Sequence, residues 1–290
     1  MVTQLIKSPW TWVVGAMLNF PLAQAIEQRT QAYENGSWQL SSDPFECRLS
    51  QSLHNSATAE FIRLPGETVK LALSLSPGEP LLSSAFVRSR RADWQAETRP
   101  EGLQGVYEGQ LEGNKVLFKE PAHQLLIDFS KGYWLDFYLN PAQQPVGLTF
   151  TALFSQQSYS DFQACVRQMA PLSWEQAREH DIYFATGEKT VKSAEVLTYL
   201  QDLVRYISMD SKVVKVLVDG HTDTLGNAAA NRALSQQRAD EVGARLLEYG
   251  LSLNMLEVRA HSQRYPLAEE QAKENGLNRR VTVRLIRHAG

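Results

Sequence analysis

The chain predicts an α+β fold: a mostly antiparallel β domain at the N-terminus, then a smaller α/β sandwich. Three observations carry this. From Trp38 to Phe154 apolar residues recur at every second position between turn signals, the pattern of half-buried strands. After Ser193 helix-length runs with apolar spacings of three and four alternate with short apolar runs, which predicts helices packed on one side of a small sheet. Between them, Pro171 and the polar stretch Ser173 to His180 break the pattern, so the chain divides into residues 1–25, 26–174 and 175–290.

The first segment reads as a signal peptide. Lys7 precedes the apolar run Trp10 to Phe20, and Ala23-Gln24-Ala25 supplies the small residues of a cleavage site. That run is shorter than a membrane span, so export of a protein with no membrane-spanning helix is expected; a retained signal anchor is the alternative. No cysteine stands directly after Ala25, which argues against a lipid anchor.

Within residues 26–174, Val69, Leu71, Leu73 and Leu75 alternate, as do Leu135, Phe137 and Leu139, and Val146 to Phe154 reads as a largely apolar strand. Pro65-Gly66, Pro77-Gly78, Gly113-Asn114, Lys131-Gly132 and Asn140-Pro141 mark turns. The aromatics, among them Trp38, Phe45, Trp94, Phe118, Phe129, Trp134 and Phe137, read as core rather than as a binding cage. Tyr159 to Met169 then predicts a helix through Phe162, Cys165, Val166 and Met169. Cys47 and Cys165 are the two cysteines. In an oxidising compartment they pair most simply with each other, stapling this helix to the strand around Cys47; two buried thiols are the alternative.

Residues 175–290 predict strands at Ile182 to Phe184, Val213 to Val218, Leu256 to Ala260 and Val281 to Ile286, with helices from Ser193 to Ile207 and from 231 to 249, the latter capped by Gly250. The stretch from His221 to Val242 carries the candidate site. Asn231, Leu234, Arg238 and Val242 fall on one narrow helix face, so a guanidinium shares an apolar stripe and needs an anionic partner. Asp223 is the nearest candidate. Their pairing is either an internal salt bridge or two halves of a ligand clamp.

Ile182-Tyr183-Phe184, Gly220-His221-Thr222-Asp223 with Gly226, Asn231, Leu234-Ser235, Arg238-Ala239 and Asn278-Arg279-Arg280-Val281 together resemble the OmpA-like peptidoglycan-binding family. The resemblance covers about residues 180 to 288. It implies that Asp223 and Arg238 grip the diaminopimelate of a peptidoglycan stem peptide, with Thr222, Asn231 and Leu234 beside them and Asn278 and Arg279 closing the cleft. The charges agree, because that ligand presents an ammonium and a carboxylate on one carbon, and a carboxylate beside a planar guanidinium matches both. In the front half, Trp38, the run Pro44 to Leu49, Lys131-Gly132-Tyr133 and Tyr159-Ser160-Asp161-Phe162 leading to Cys165 resemble the MotY family of periplasmic flagellar-motor proteins. That resemblance implies a periplasmic T-ring component bound to the flagellar basal body on the outer-membrane side of the wall, with a MotX-like protein and the stator complex as partners.

Other classes fit less well. The net charge of −3 becomes −4 without Lys7, and the concentrated basic cluster is Arg279, Arg280, Arg284, Arg287 and His288, so nucleic acid is not an expected partner. His221, Asp223 and His261 lack the surrounding signatures of metal or nucleophilic catalysis, and no catalytic residue, metal or cofactor is expected. The acidic-leaning loop of Glu269, Glu270, Lys273 and Glu274 has no assigned role. The competing functional reading is a general cell-envelope tether without a flagellar role.

Overall fold

A computed structural model describes residues 27–30, 36–53, 56–79, 81–92, 105–141, 144–224, 227–268 and 275–288. The signal segment, Trp94, Gly226 and the acidic loop at 269–274 lie outside these residues.

Alternating burial builds the front half into two facing sheets. One runs in the order β2 (Gln39–Asp43), β3 (Glu46–Leu53), β4 (Ala57–Arg63), β5 (Lys70–Leu75), β9 (Lys115–Phe118), β8 (Gln110–Glu112). The other runs β1 (Glu27–Thr30), β11 (Val146–Phe150), β10 (Trp134–Pro141), β6 (Leu82–Arg90), β7 (Tyr107–Glu108). Every pairing is antiparallel except β1 with β11. Phe118 of one sheet meets Phe137 of the other with ring centroids 5.7 Å apart, and Trp38 packs on Phe61, Phe129 and Phe150. The Trp38 indole donates to the Thr151 carbonyl at 2.8 Å, so its one polar group is satisfied inside the core.

Two elements differ from expectation. A helix, α1 (Ala122–Ser130), stands where none was predicted; it buries Ala122, Leu125, Leu126 and Phe129, a helical spacing too short to stand out among strand signals. The strand predicted to reach Phe154 ends at Phe150. Phe154, with φ 54°, is the N-cap of α2 (Ser155–Gln168) and lies 78% exposed. That helix carries Cys165 to Cys47, and the two are disulfide-bonded with Cα atoms 6.0 Å apart.

The core passes from one cluster to the next between Met169 and Ala170. The joint is tied at the β2–β3 turn: the Ala170 N–H donates to the Pro44 carbonyl at 2.8 Å, and the Phe45 ring lies 5.4 Å from that of Tyr206 in the second core. A short helix, α3 (Trp174–Ala177), follows with a reciprocal Ser173–Gln176 capping box.

The sheet of the second half, the third among the described residues, has the order β12 (Glu179–Tyr183), β15 (Arg280–Arg287), β13 (Val213–His221), β14 (Leu256–Ser262), with only β13 and β14 parallel. One face, with Ile182, Val216, Val218, Val281, Val283 and Leu285, shares a core with α4 (Ala194–Met209) and α5 (Ala228–Glu248). Asn227 caps α5 by accepting from the Ala230 N–H at 2.7 Å. The helix closes with Leu251 N–H donating to the Leu246 carbonyl around Gly250 at φ 103°, a left-handed position that glycine fills without a Cβ clash. Among the described residues no helix is long and apolar enough to cross a membrane.

Candidate functional site

Strand β13 leads into the loop at Thr222 and Asp223, and α5 returns from it beneath the sheet. The helix buries Asn231, Ser235, Arg238, Ala239 and Val242. The predicted stripe is therefore present, with one correction: Leu234 is half-buried and Ser235 occupies the inner position. Helix and strand approach closely here, with the Gly220 backbone against the Ser235 carbonyl.

Arg238 is fully buried. Its Nε donates to the Glu188 carbonyl at 2.8 Å and its Nη2 to the Ala185 carbonyl at 3.1 Å, while the guanidinium lies 5.1 Å from the centre of the Phe184 ring. Its Nη1 is buried without a hydrogen-bond acceptor. The internal salt bridge between Asp223 and Arg238, the alternative to a ligand clamp, is not formed. Asp223 instead takes Arg279, whose Nη1 donates to Oδ2 at 3.1 Å and whose Nε donates to the Phe184 carbonyl at 3.2 Å. Backbone carbonyls suffice to orient Arg238 but leave its charge uncompensated. Burial depresses its pKa and the nearby Arg279 charge depresses it further, against weaker upward pulls from Asp223 and Glu188.

The remaining predicted residues hold this arrangement in place. Asn231 Nδ2 donates to the Asp223 carbonyl at 3.2 Å, pinning the loop to the helix. Thr222 is buried, its N–H donating to the Ser262 carbonyl at 2.9 Å and its Oγ1 lacking a partner. Asn278 accepts from the N–H groups of Leu267 at 2.8 Å and Ala268 at 3.2 Å and donates to the Ala268 carbonyl at 2.9 Å. It therefore fastens the 267–268 backbone. Sequence reasoning missed Phe184, Ala185 and Glu188 as the seat of Arg238, since contacts across some fifty residues leave no local pattern.

The basic cluster near the C-terminus is also revised, because each arginine faces a carboxylate. Arg279 meets Asp223 at 3.1 Å, Arg280 lies 3.5 Å from Asp181, Arg284 3.2 Å from Asp219, and Arg287 2.8 Å from Asp210. His221 and His261 stack with ring centroids 5.2 Å apart. Among the described residues no three histidine, cysteine, aspartate or glutamate side chains are grouped to hold a metal ion.

Comparison with known proteins matches residues 30–171 to the MotY N-terminal domain and residues 183–280 to the OmpA family. The sodium-type flagellar protein MotY of Vibrio parahaemolyticus is 20% identical over 295 residues, covering 96% of this chain and 98% of that protein. The outer-membrane lipoprotein YfiB of Pseudomonas aeruginosa is 36% identical over 70 residues, 24% of this chain and 42% of its own length. Among solved structures, the C-terminal domain of Helicobacter pylori MotB is 23% identical, covering 38% of this chain and 86% of that one, with a TM-score of 0.34. The chain thus belongs to the proteins that join a MotY N-terminal domain to an OmpA-family domain.

Proposed function

We propose that this protein is a non-enzymatic, periplasmic component of the flagellar motor that binds peptidoglycan through residues 175–290 and the basal body through residues 26–174, as part of a T ring. The full-length similarity to a flagellar MotY protein supports the motor assignment, and the OmpA-family match supports the wall-binding one.

One observation carries the ligand reading: Arg238 is fully buried beside Asp223 with an Nη1 donor that has no acceptor. A buried donor left unpaired costs about 1–3 kcal/mol, and a ligand carboxylate relieves it. Asp223 is the matching group for the ammonium on the same diaminopimelate carbon. Its present partner, Arg279, holds the place that the ammonium would take, so binding exchanges one cation for another on Asp223 while Arg238 gains the anion it lacks. Thr222 Oγ1, buried and unpartnered, is a second group available to the ligand. Many such sites around a ring add avidity, so each can be weak. A MotX-like protein and the ion-driven stator are the partners proposed for the assembled ring, which would fix the stator to the wall.

The test is made in cells. Strains carrying Asp223→Ala or Arg238→Ala are expected to lose most swimming, while the altered protein still co-purifies with hook–basal bodies through its N-terminal domain. Normal swimming and stator recruitment in a strain lacking the protein would favour the general envelope tether instead.

A further inference from the structure

The face of the β12–β15–β13–β14 sheet turned away from α4 and α5 is polar, and it lines an open cleft of about 350 Å³. Side chains alternate along strands, so β13 and β15 send valines into the core and Asp219, His221, Arg280 and Thr282 to this other face. These four are nonetheless buried, at 2%, 5%, 6% and 5% exposure. Polar groups so enclosed should all be paired.

Asp219 is. Arg259 donates to both of its oxygens, at 2.7 and 3.0 Å, His261 Nε2 donates at 2.8 Å and Arg284 Nη2 at 3.2 Å. Burial alone pushes this carboxyl up, yet the bonds and charges of Arg259 and His261 outweigh it and hold it below its usual range. Asp219 therefore has no capacity left for further donors.

Arg280 is not. Its Nε donates to Thr282 Oγ1 at 3.3 Å and its Nη2 to the Tyr265 carbonyl at 3.3 Å, but Nη1 is buried without an acceptor. The nearest carboxylate, Asp181, lies 3.5 Å from Nε and is already bonded by the Thr282 hydroxyl at 2.5 Å. On the same strand, Arg284 Nε also lacks a hydrogen-bond acceptor, with Glu179 at 3.7 Å. The cleft thus has unpaired guanidinium donors, while its one deeply buried carboxylate, Asp219, is saturated. Its wall beside Arg280 is a ladder of rings: His221 stacked on His261, with Tyr265 edge-on at 5.7 Å. The Nδ1 of His221 faces the Arg264 carbonyl at 3.1 Å; a carbonyl only accepts, so Nδ1 carries the proton there.

We propose that this cleft is a second ligand site, which binds an oxyanion, a carboxylate or phosphate group, on the guanidinium of Arg280, with the His221–His261–Tyr265 wall against the body of the ligand. It is separate from the Asp223 site, because neighbouring residues of the chain serve opposite sides: Arg279 reaches Asp223 and Arg280 lines the cleft.

Calorimetric titration of the full-length protein with inorganic phosphate, and separately with malonate, tests this. Saturable one-to-one binding of either is expected, and the anion preferred tells whether a phosphate-bearing or a carboxylate-bearing ligand is the natural one. Arg280→Lys keeps the charge but removes the unpaired Nη1 donor, and is expected to weaken binding about tenfold. Arg284→Gln, at a more exposed position, is expected to weaken it several-fold and stands in if Arg280→Lys does not fold. The proposal is overturned if neither anion gives saturable binding, or if the folded variants bind as tightly as the unaltered protein.

Discussion

Replacing Cys47 and Cys165 together by alanine is expected to cost the N-terminal domain about 5 kcal/mol of stability, the chain-entropy value for a closed loop of this length. The two cysteines are 118 residues apart, and nearly all of the two facing sheets lies between them. Unlinked, the unfolded chain regains the freedom that the bond removes. A loss of that size lowers the unfolding temperature by on the order of 10–20 °C. The effect should reach beyond the sheets. Phe45, two residues before Cys47, packs on Tyr206 of the second core, and Ala170, five after Cys165, donates to Pro44. The bond therefore sits beside the joint through which a wall-bound domain would load the other. Urea unfolding of the oxidised protein and the double variant measures this; coincident midpoints would show that the staple adds nothing.

Gly220→Ala should damage the second domain, by somewhat less than the lost disulfide damages the first. A Cβ built on Gly220 would stand 2.2 Å from the Ser235 carbonyl oxygen and 3.1 Å from the Ala239 Cβ. A backbone carbonyl and the Cβ of an alanine leave no flexible side chain to yield, so α5 must lift from β13. We expect a loss of about 3 kcal/mol, the upper end for overpacking. The same displacement separates Asn231 from the Asp223 carbonyl that it holds, so ligand binding should fall together with stability. Thermal unfolding of Gly220→Ala, with circular dichroism to confirm the fold, gives the first quantity. An unchanged midpoint would mean that the close contact between helix and sheet is not rigid.

Local patterns carried most of the fold. The stripe on α5, its glycine cap and the alternation along β5 and β10 are short-range consequences of where apolar side chains fall, and all three are present. Helix α1 was missed because nine residues give barely two turns of periodicity, set among strands. The site was legible in its members and less so in its pairing. Asp223 and Arg238 were found from one loop and one helix face, yet the donor to the Asp223 carboxylate is Arg279, 56 residues on, and Arg238 rests on carbonyls 50 and 53 residues back. Such choices depend on how strands are ordered in the sheet, which no window of sequence contains. The polar outer face was visible in principle, since Lys215, Asp219 and His221 and then Arg280, Thr282 and Arg284 fall at even spacings along two strands. Taken as residues of a chain end, those arginines looked like a basic patch; placed in the sheet, each meets an acid.

The most direct measurement is the affinity of the purified protein for a peptidoglycan stem peptide containing diaminopimelate, compared with the same peptide carrying lysine in its place. Lysine keeps an ammonium but lacks the second carboxylate. The account predicts binding of the first peptide, at least about tenfold weaker binding of the second, which corresponds to about 1.4 kcal/mol, and loss of that preference in Arg238→Ala. Equal binding of both peptides, or a preference that survives in Arg238→Ala, would contradict it.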